Sequence, residues 1–126
     1  MRKSILFPLL LLFALGFAAE KAIAAGDPLK VAPDMYKLLF ENDKVRVMEL
    51  TFQPGQKISE HSHPDHFVTV LEPGQLKIFK PDGSSQQLTL KKEEVVWIPA
   101  ETHWAQNTGK TEVKLLVTEL KAKAAG

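Results

Sequence analysis

The sequence predicts an all-β sandwich or barrel, for which a jelly roll is one common solution. Three observations carry that reading. From Tyr36 onward, short apolar runs alternate with polar residues. Clusters of Pro, Gly, Asn and Asp interrupt them about every 8 to 12 residues. No stretch beyond the N-terminus has the 3.6-residue periodicity of an amphipathic helix of useful length.

The elements follow in order. YKLLF (36–40) and VRVMELTF (45–52) flank the turn cluster ENDK, which predicts a hairpin. Pro54-Gly55 ends the second strand, and a polar strand runs from Lys57 into HSH. FVTVL (67–71) stops at Pro73-Gly74, and QLKIFK (75–80) stops at PDGS. QQLTL (86–90) and EVVWI (94–98) come next, the latter ended by Pro99. A short strand near His103–Gln106 and EVKLLVTEL (112–120) complete the set. Gly26 to Asp34, with Pro28 and Pro33, reads as an extended N-terminal arm, and residues 121–126 as a frayed, flexible tail. The organisation expected is therefore a leader over 1–24, an arm and first strand over 25–42, one β domain over 43–120, and the tail.

The leader is read as a secretory signal peptide. Arg2 and Lys3 precede a 13-residue apolar stretch, Ile5–Phe17, and Ala22 and Ala24 form an A-x-A site, so cleavage is expected after Ala24 or Ala25. That apolar stretch is shorter than the ~20 residues of a membrane-spanning helix. The chain is thus expected to be secreted, into a bacterial periplasm, with no stable membrane association after cleavage. There is no cysteine, hence no disulfide framework and no lipidated cysteine. Cleavage removes three of 16 basic and one of 15 acidic residues, turning the formal charge from +1 to −1. Nothing in that balance points to nucleic acid as a partner.

Three of the four histidines fall in HSHPDH (61–66). In a strand, residues i and i+2 share a face, so His61 and His63 point the same way. Pro64 and Asp65 break the strand, and His66 opens the next one on the face of Val68 and Val70. His103 follows 37 residues later, on a strand that an antiparallel barrel can bring alongside. The pattern predicts a metal site inside the barrel held by His61, His63, His66 and His103; a looser surface metal-binding cluster is the alternative. Asp65 competes with His66 as an oxygen ligand. Ligating histidines need acceptors for the second ring nitrogen, and Glu60, Asp65 and Glu101 are the nearby carboxylates, with Glu60 on the opposite face from His61. Asn107 shares the parity of His103. Trp97, Trp104 and Phe79 are candidates for the cavity wall or for ordinary core. Arg46, the only arginine after the leader, reads as a surface residue rather than a carboxylate clamp.

These residues resemble the cupin family, whose motifs run G-x5-H-x-H-x3,4-E-x6-G and G-x5-P-x-G-x2-H-x3-N. Gly55, His61, His63 and Gly74 match the first, with His66 near the glutamate position, and Pro99, His103 and Asn107 follow the second with the spacing from Pro99 to His103 one residue short. The resemblance covers about Val45–Leu120 and is strongest for small single-domain cupins with an HxHPDH stretch. It implies a double-stranded β-helix jelly roll with the metal inside. The sequence departs from the motifs at three points: His66 stands for the glutamate ligand, Glu101 for a glycine, and Glu93 for the opening glycine.

Four neutral imidazoles bring no negative charge, so a divalent ion would keep its full charge where a glutamate ligand would lower it. Sulfur-free imidazole sites suit iron, zinc, nickel or copper, with manganese less favoured. The resemblance implies a metal-dependent enzyme acting on a small molecule, with dioxygenase-like chemistry favoured by analogy with all-histidine thiol and diketone dioxygenases. The alternatives are a zinc or nickel hydrolase or isomerase, and a non-catalytic metal or small-ligand binding protein. A homodimer is the expected assembly, because barrel edges pair readily.

Overall fold

The alternating segments form nine strands in the computed structural model, which describes residues 26–122. These are β1 (Tyr36–Glu41), β2 (Val45–Phe52), β3 (Lys57–His63), β4 (His66–Glu72), β5 (Gly74–Phe79), β6 (Ser85–Leu90), β7 (Val95–Ile98), β8 (Glu101–Asn107) and β9 (Val113–Leu120). They pair antiparallel in two sheets, ordered β1-β2-β9-β4-β7 and β3-β8-β5-β6. This is the double-stranded β-helix that the motifs imply. The expected leader and residues 123–126 of the expected tail lie outside the described residues. Among the described residues no helix is long and apolar enough to cross a membrane.

The period-2 pattern decides which side chains fill the space between the sheets. Met48, Leu50 and Phe52 from β2 face Val113, Leu115 and Val117 from β9, all nearly inaccessible to water. Val68 and Val70 from β4 and Leu76 from β5 complete the floor of the core. At Gly74 the β4–β5 turn runs against β9. A Cβ there would lie 2.5 Å from a Val113 methyl, so only glycine fits.

Two expectations need correction. The arm is not extended: Pro28–Val31 forms a single helical turn, α1, which Asp27 caps by accepting the amide of Leu29 at 3.0 Å. Proline at the first helical position already has helical φ and lacks an amide that would go unsatisfied, so Asp27-Pro28 favours the turn. At the other end Lys121 is not frayed. Its amide donates to the Lys44 carbonyl at 2.8 Å and its ammonium reaches Glu41 at 2.6 Å. Glu93, standing where the motif has its opening glycine, adopts the positive φ (71°) that glycine would accept without strain.

Candidate metal centre

A bulge makes the centre. Between Ile58 and His61 the β3 register against β8 slips, with Ile58 opposite Ala105 and His61 opposite His103. The extra residue turns both Ile58 and His61 inward. His63 follows two residues on, and His66 enters from the start of β4 across the Pro64-Asp65 corner. All four imidazoles are buried.

His61, His63 and His103 form the tight group: each offers a ring nitrogen within 4.8 Å of the others. Their ring centroids are 4.9 Å (His61–His63), 4.7 Å (His61–His103) and 5.2 Å (His63–His103) apart. His66 lies beside the group with its ring stacked on His63, centroids 4.3 Å apart at 26°. Within the described residues this is the one cluster of three or more possible ligands at such spacing.

The hydrogen bonds settle the ring chemistry. His61 Nδ1 donates to the Ser59 carbonyl and His66 Nδ1 to the Pro64 carbonyl, both at 2.8 Å. A carbonyl only accepts, so those nitrogens carry the protons. His63 Nδ1 donates to Glu119 Oε2 at 2.7 Å, and His103 Nδ1 to Glu101 Oε2 at 2.5 Å. With the proton on Nδ1, a ring that is neutral carries its lone pair on Nε2. Burial first, and then the neighbouring imidazoles, hold His61 down to about 3 and His63 down to about 2, despite the Ser59 bond that raises His61. Burial also lowers His66. Neutral imidazoles with fixed tautomers are what a transition metal binds, and every Nδ1 has its outer acceptor. The donor set fits a divalent ion.

Charge enters one bond further out. Glu119 and Glu101 touch the far nitrogens of His63 and His103, so the centre is not the purely neutral set that the four histidines alone suggest. Burial raises the Glu119 carboxyl against the pull of Arg46. For Glu101 burial also acts upward, but the bonds to His103 and Lys80 outweigh it and the carboxyl is lowered. Arg46 donates to Glu119 Oε1 from Nε at 2.9 Å and, from its terminal nitrogen, lies 2.8 Å away. Arg46, Glu119 and His66 occupy one cross-strand row over β2, β9 and β4.

The cavity has a volume of about 50 Å³. At about 10 to 15 Å³ per water it has room for an ion and a ligand of a few heavy atoms. Apart from the four rings its wall is almost entirely aliphatic, with Phe52 and Tyr36 as the aromatic exceptions. Tyr36 packs edge-on to His61, centroids 6.3 Å apart. A wider depression of about 440 Å³, lined by Ser62, His63, Pro64, Ala100, Glu101 and Thr102, reaches His63 from outside. His63 lines both spaces.

Other expected site residues lie elsewhere. Asp65 is exposed and accepts the Ala100 amide at 2.8 Å, tying the β3–β4 corner to the β7–β8 turn. Its exposed carboxylate does not line the cavity that the four imidazoles share. Trp97 points outward, 54% exposed, between the cavity-lining Val96 and Ile98. Asn107 shares the inward face of His103 but sits four residues on, about 13 Å along the strand. Its amide donates to the Phe52 and Thr111 carbonyls, and its oxygen accepts the Gly109 amide. It fastens the opposite end of the barrel. Trp104 stacks on Phe79 outside the smaller sheet, centroids 5.9 Å apart. Glu60 is exposed.

Sequence reasoning missed Glu119 and Tyr36 and placed Arg46 at the surface, whereas its side chain is only 15% exposed and paired with two carboxylates. The signal for Glu119 and Arg46 was parity: Glu119 continues Val113, Leu115, Val117, and Arg46 precedes Met48, Leu50, Phe52 on the inward face.

The profile of the cupin domain family matches residues 48–119. Among solved structures, a cupin domain of Bordetella pertussis is similar at 28% identity and TM-score 0.65, over 70% of this chain and 93% of that one. A cupin superfamily protein of Desulfitobacterium hafniense has 24% identity and TM-score 0.55, over 70% and 77%. A conserved protein of Klebsiella pneumoniae with a double-stranded β-helix domain has 18% identity and TM-score 0.58, over 99% and 93%. The last two likenesses show the fold alone. No curated protein gives a significant match.

Proposed function

The chain belongs to the cupin domain family, and on that footing we propose that it is an exported, metal-dependent enzyme acting on a small molecule, with dioxygenase-like chemistry. One observation carries the metal reading: four buried imidazoles have Nδ1 committed to outer acceptors, which leaves four Nε2 lone pairs around one cavity. His61, His63 and His103 would hold the ion, with His66 as the fourth ligand. Iron, zinc, nickel or copper suits this sulfur-free set better than manganese. A bound ion supplies Lewis acidity and, if it is iron, one-electron redox capacity toward dioxygen.

The protein's own residues supply the rest. Glu119 and Glu101 fix two ring tautomers and feed negative charge toward the ion. The aliphatic wall excludes water and selects a compact, largely apolar substrate that presents a polar end to the centre. The export reading is supported by the basic, apolar and A-x-A order of residues 1–24. A homodimer stays the proposed assembly.

The small cavity favours a second reading, a binding protein that holds a metal or a small ligand without turnover. Metal analysis of the protein purified from its own compartment, followed by nitric oxide binding to the ferrous form, separates the two. Enzyme chemistry at iron requires an open coordination position, so a nitrosyl spectrum at about one equivalent is expected. A tightly held metal and no nitric oxide adduct would mean a saturated site and favour binding alone.

A further inference from the structure

The metal centre is touched from outside by a segment distant from it in sequence. We infer that Gly26–Asp27 is a clasp that positions two of the ligating histidines, so that divalent-metal affinity depends on the N-terminal arm. The inference rests on the metal reading above.

Two independent sets of contacts carry it. The first is backbone. Ser62, the residue between His61 and His63, donates its amide to the Gly26 carbonyl at 2.8 Å. The arm lies so close that a Cβ on Gly26 would come 3.1 Å from His61 Cα and 3.3 Å from the Ser62 nitrogen, and its φ of +90° also favours glycine. The arm thus braces the strand segment carrying both histidines.

The second set is a chain of side chains. Asp27 takes two hydrogen bonds from Arg46, at 3.1 and 3.2 Å. Arg46 grips Glu119 Oε1 through two nitrogens, at 2.8 and 2.9 Å. That leaves Glu119 Oε2 for His63 Nδ1 at 2.7 Å. The side chains grow more buried along this path: 34% exposed for Asp27, 15% for Arg46 and 4% for Glu119. A guanidinium fork held by a carboxylate on each side has little rotational freedom. Without Asp27, Arg46 keeps only Glu119 and can swing, and the carboxylate that orients His63 swings with it. Asp27, Arg46 and Glu119 are positioning residues: none of them reaches the ion's place.

Asp27 also caps α1, so the test must separate the cap from the clasp. Asparagine caps as well as aspartate but cannot form the ion pair. The purified chain, stripped with a chelator, is titrated with Co2+ and followed by its visible absorption, while the melting temperature of the metal-free form reports folding. Asp27→Asn and Asp27→Ala are both expected to weaken Co2+ binding about 10-fold, the lower end for outer partners of ligands. Gly26→Ala is expected to act in the same direction through the backbone. If Asp27→Asn binds like the unaltered protein while Asp27→Ala does not, the residue is only a cap and the clasp is wrong. If both Asp27 variants bind normally, the clasp alone is overturned. If the unaltered protein takes up no Co2+, the metal reading falls and the clasp falls with it.

Discussion

Replacing Glu119 with alanine is expected to weaken divalent-metal binding 10- to 100-fold and to destabilise the metal-free fold by about 3 kcal/mol. Both effects follow from one carboxylate serving two buried partners, His63 Nδ1 and the Arg46 guanidinium. Alanine leaves the imidazole N–H without an acceptor and Arg46 with Asp27 alone. Asp27 remains, so the loss of stability sits at the low end of what breaking a buried ion pair costs. Glu119→Gln keeps an oxygen for His63 but gives up the charge, and about a 10-fold loss of affinity with a smaller loss of stability is expected. Urea unfolding of the chelated protein and metal-competition titrations measure the two effects separately. Unchanged affinity in both variants would show that the bond to His63 does not tune the centre.

Acid is expected to destabilise the metal-free protein well above the range in which carboxylates titrate. Histidines of the unfolded chain titrate near 6.5, whereas burial holds His61 down to about 3 and His63 down to about 2 when folded. Between those limits the unfolded chain takes up protons that the folded one refuses. Stability is therefore full above pH 6.5 and is lost as the pH falls below it. One unit below 6.5 costs about 1.4 kcal/mol for each such group. Glu119 acts in the opposite direction, because burial raises its carboxyl and it gains a proton more readily when folded. A net loss of about 2 kcal/mol is expected between pH 7 and pH 5.5. Denaturant midpoints at the two pH values test it, and a flat profile would mean that the imidazoles are hydrated.

The strands were legible because alternation is a local property. Every segment read from Tyr36 to Leu120 lies within or overlaps a strand, and His61, His63 and His103 face inward as their parity requires. Less of the surrounding shell could be read, for reasons that differ by residue. Arg46 and Glu119 sit at inward parity, but their charges argue for the surface until the β2–β9 pairing sets them opposite each other. That pairing joins residues more than 70 positions apart, and no local pattern encodes it. Asp27-Pro28 carries a capping signature, yet with Pro33 nearby the segment reads as extended. Trp97 looks like core because it is large and apolar. It is exposed because β7 is an edge strand and Trp97 faces outward beside Phe67. Asp65 lies among the histidines in sequence, but its corner turns the carboxylate toward Ala100.

X-ray absorption of the protein loaded with one equivalent of its native metal tests the convergence of the imidazoles most directly. One ion per chain is expected, with three or four nitrogen neighbours at about 2.0 to 2.1 Å, the multiple-scattering pattern of imidazole, and no sulfur. Loss of that pattern in His61→Ala and His103→Ala should follow. A shell of oxygen alone, or binding that survives both substitutions, would contradict a metal centre inside the barrel.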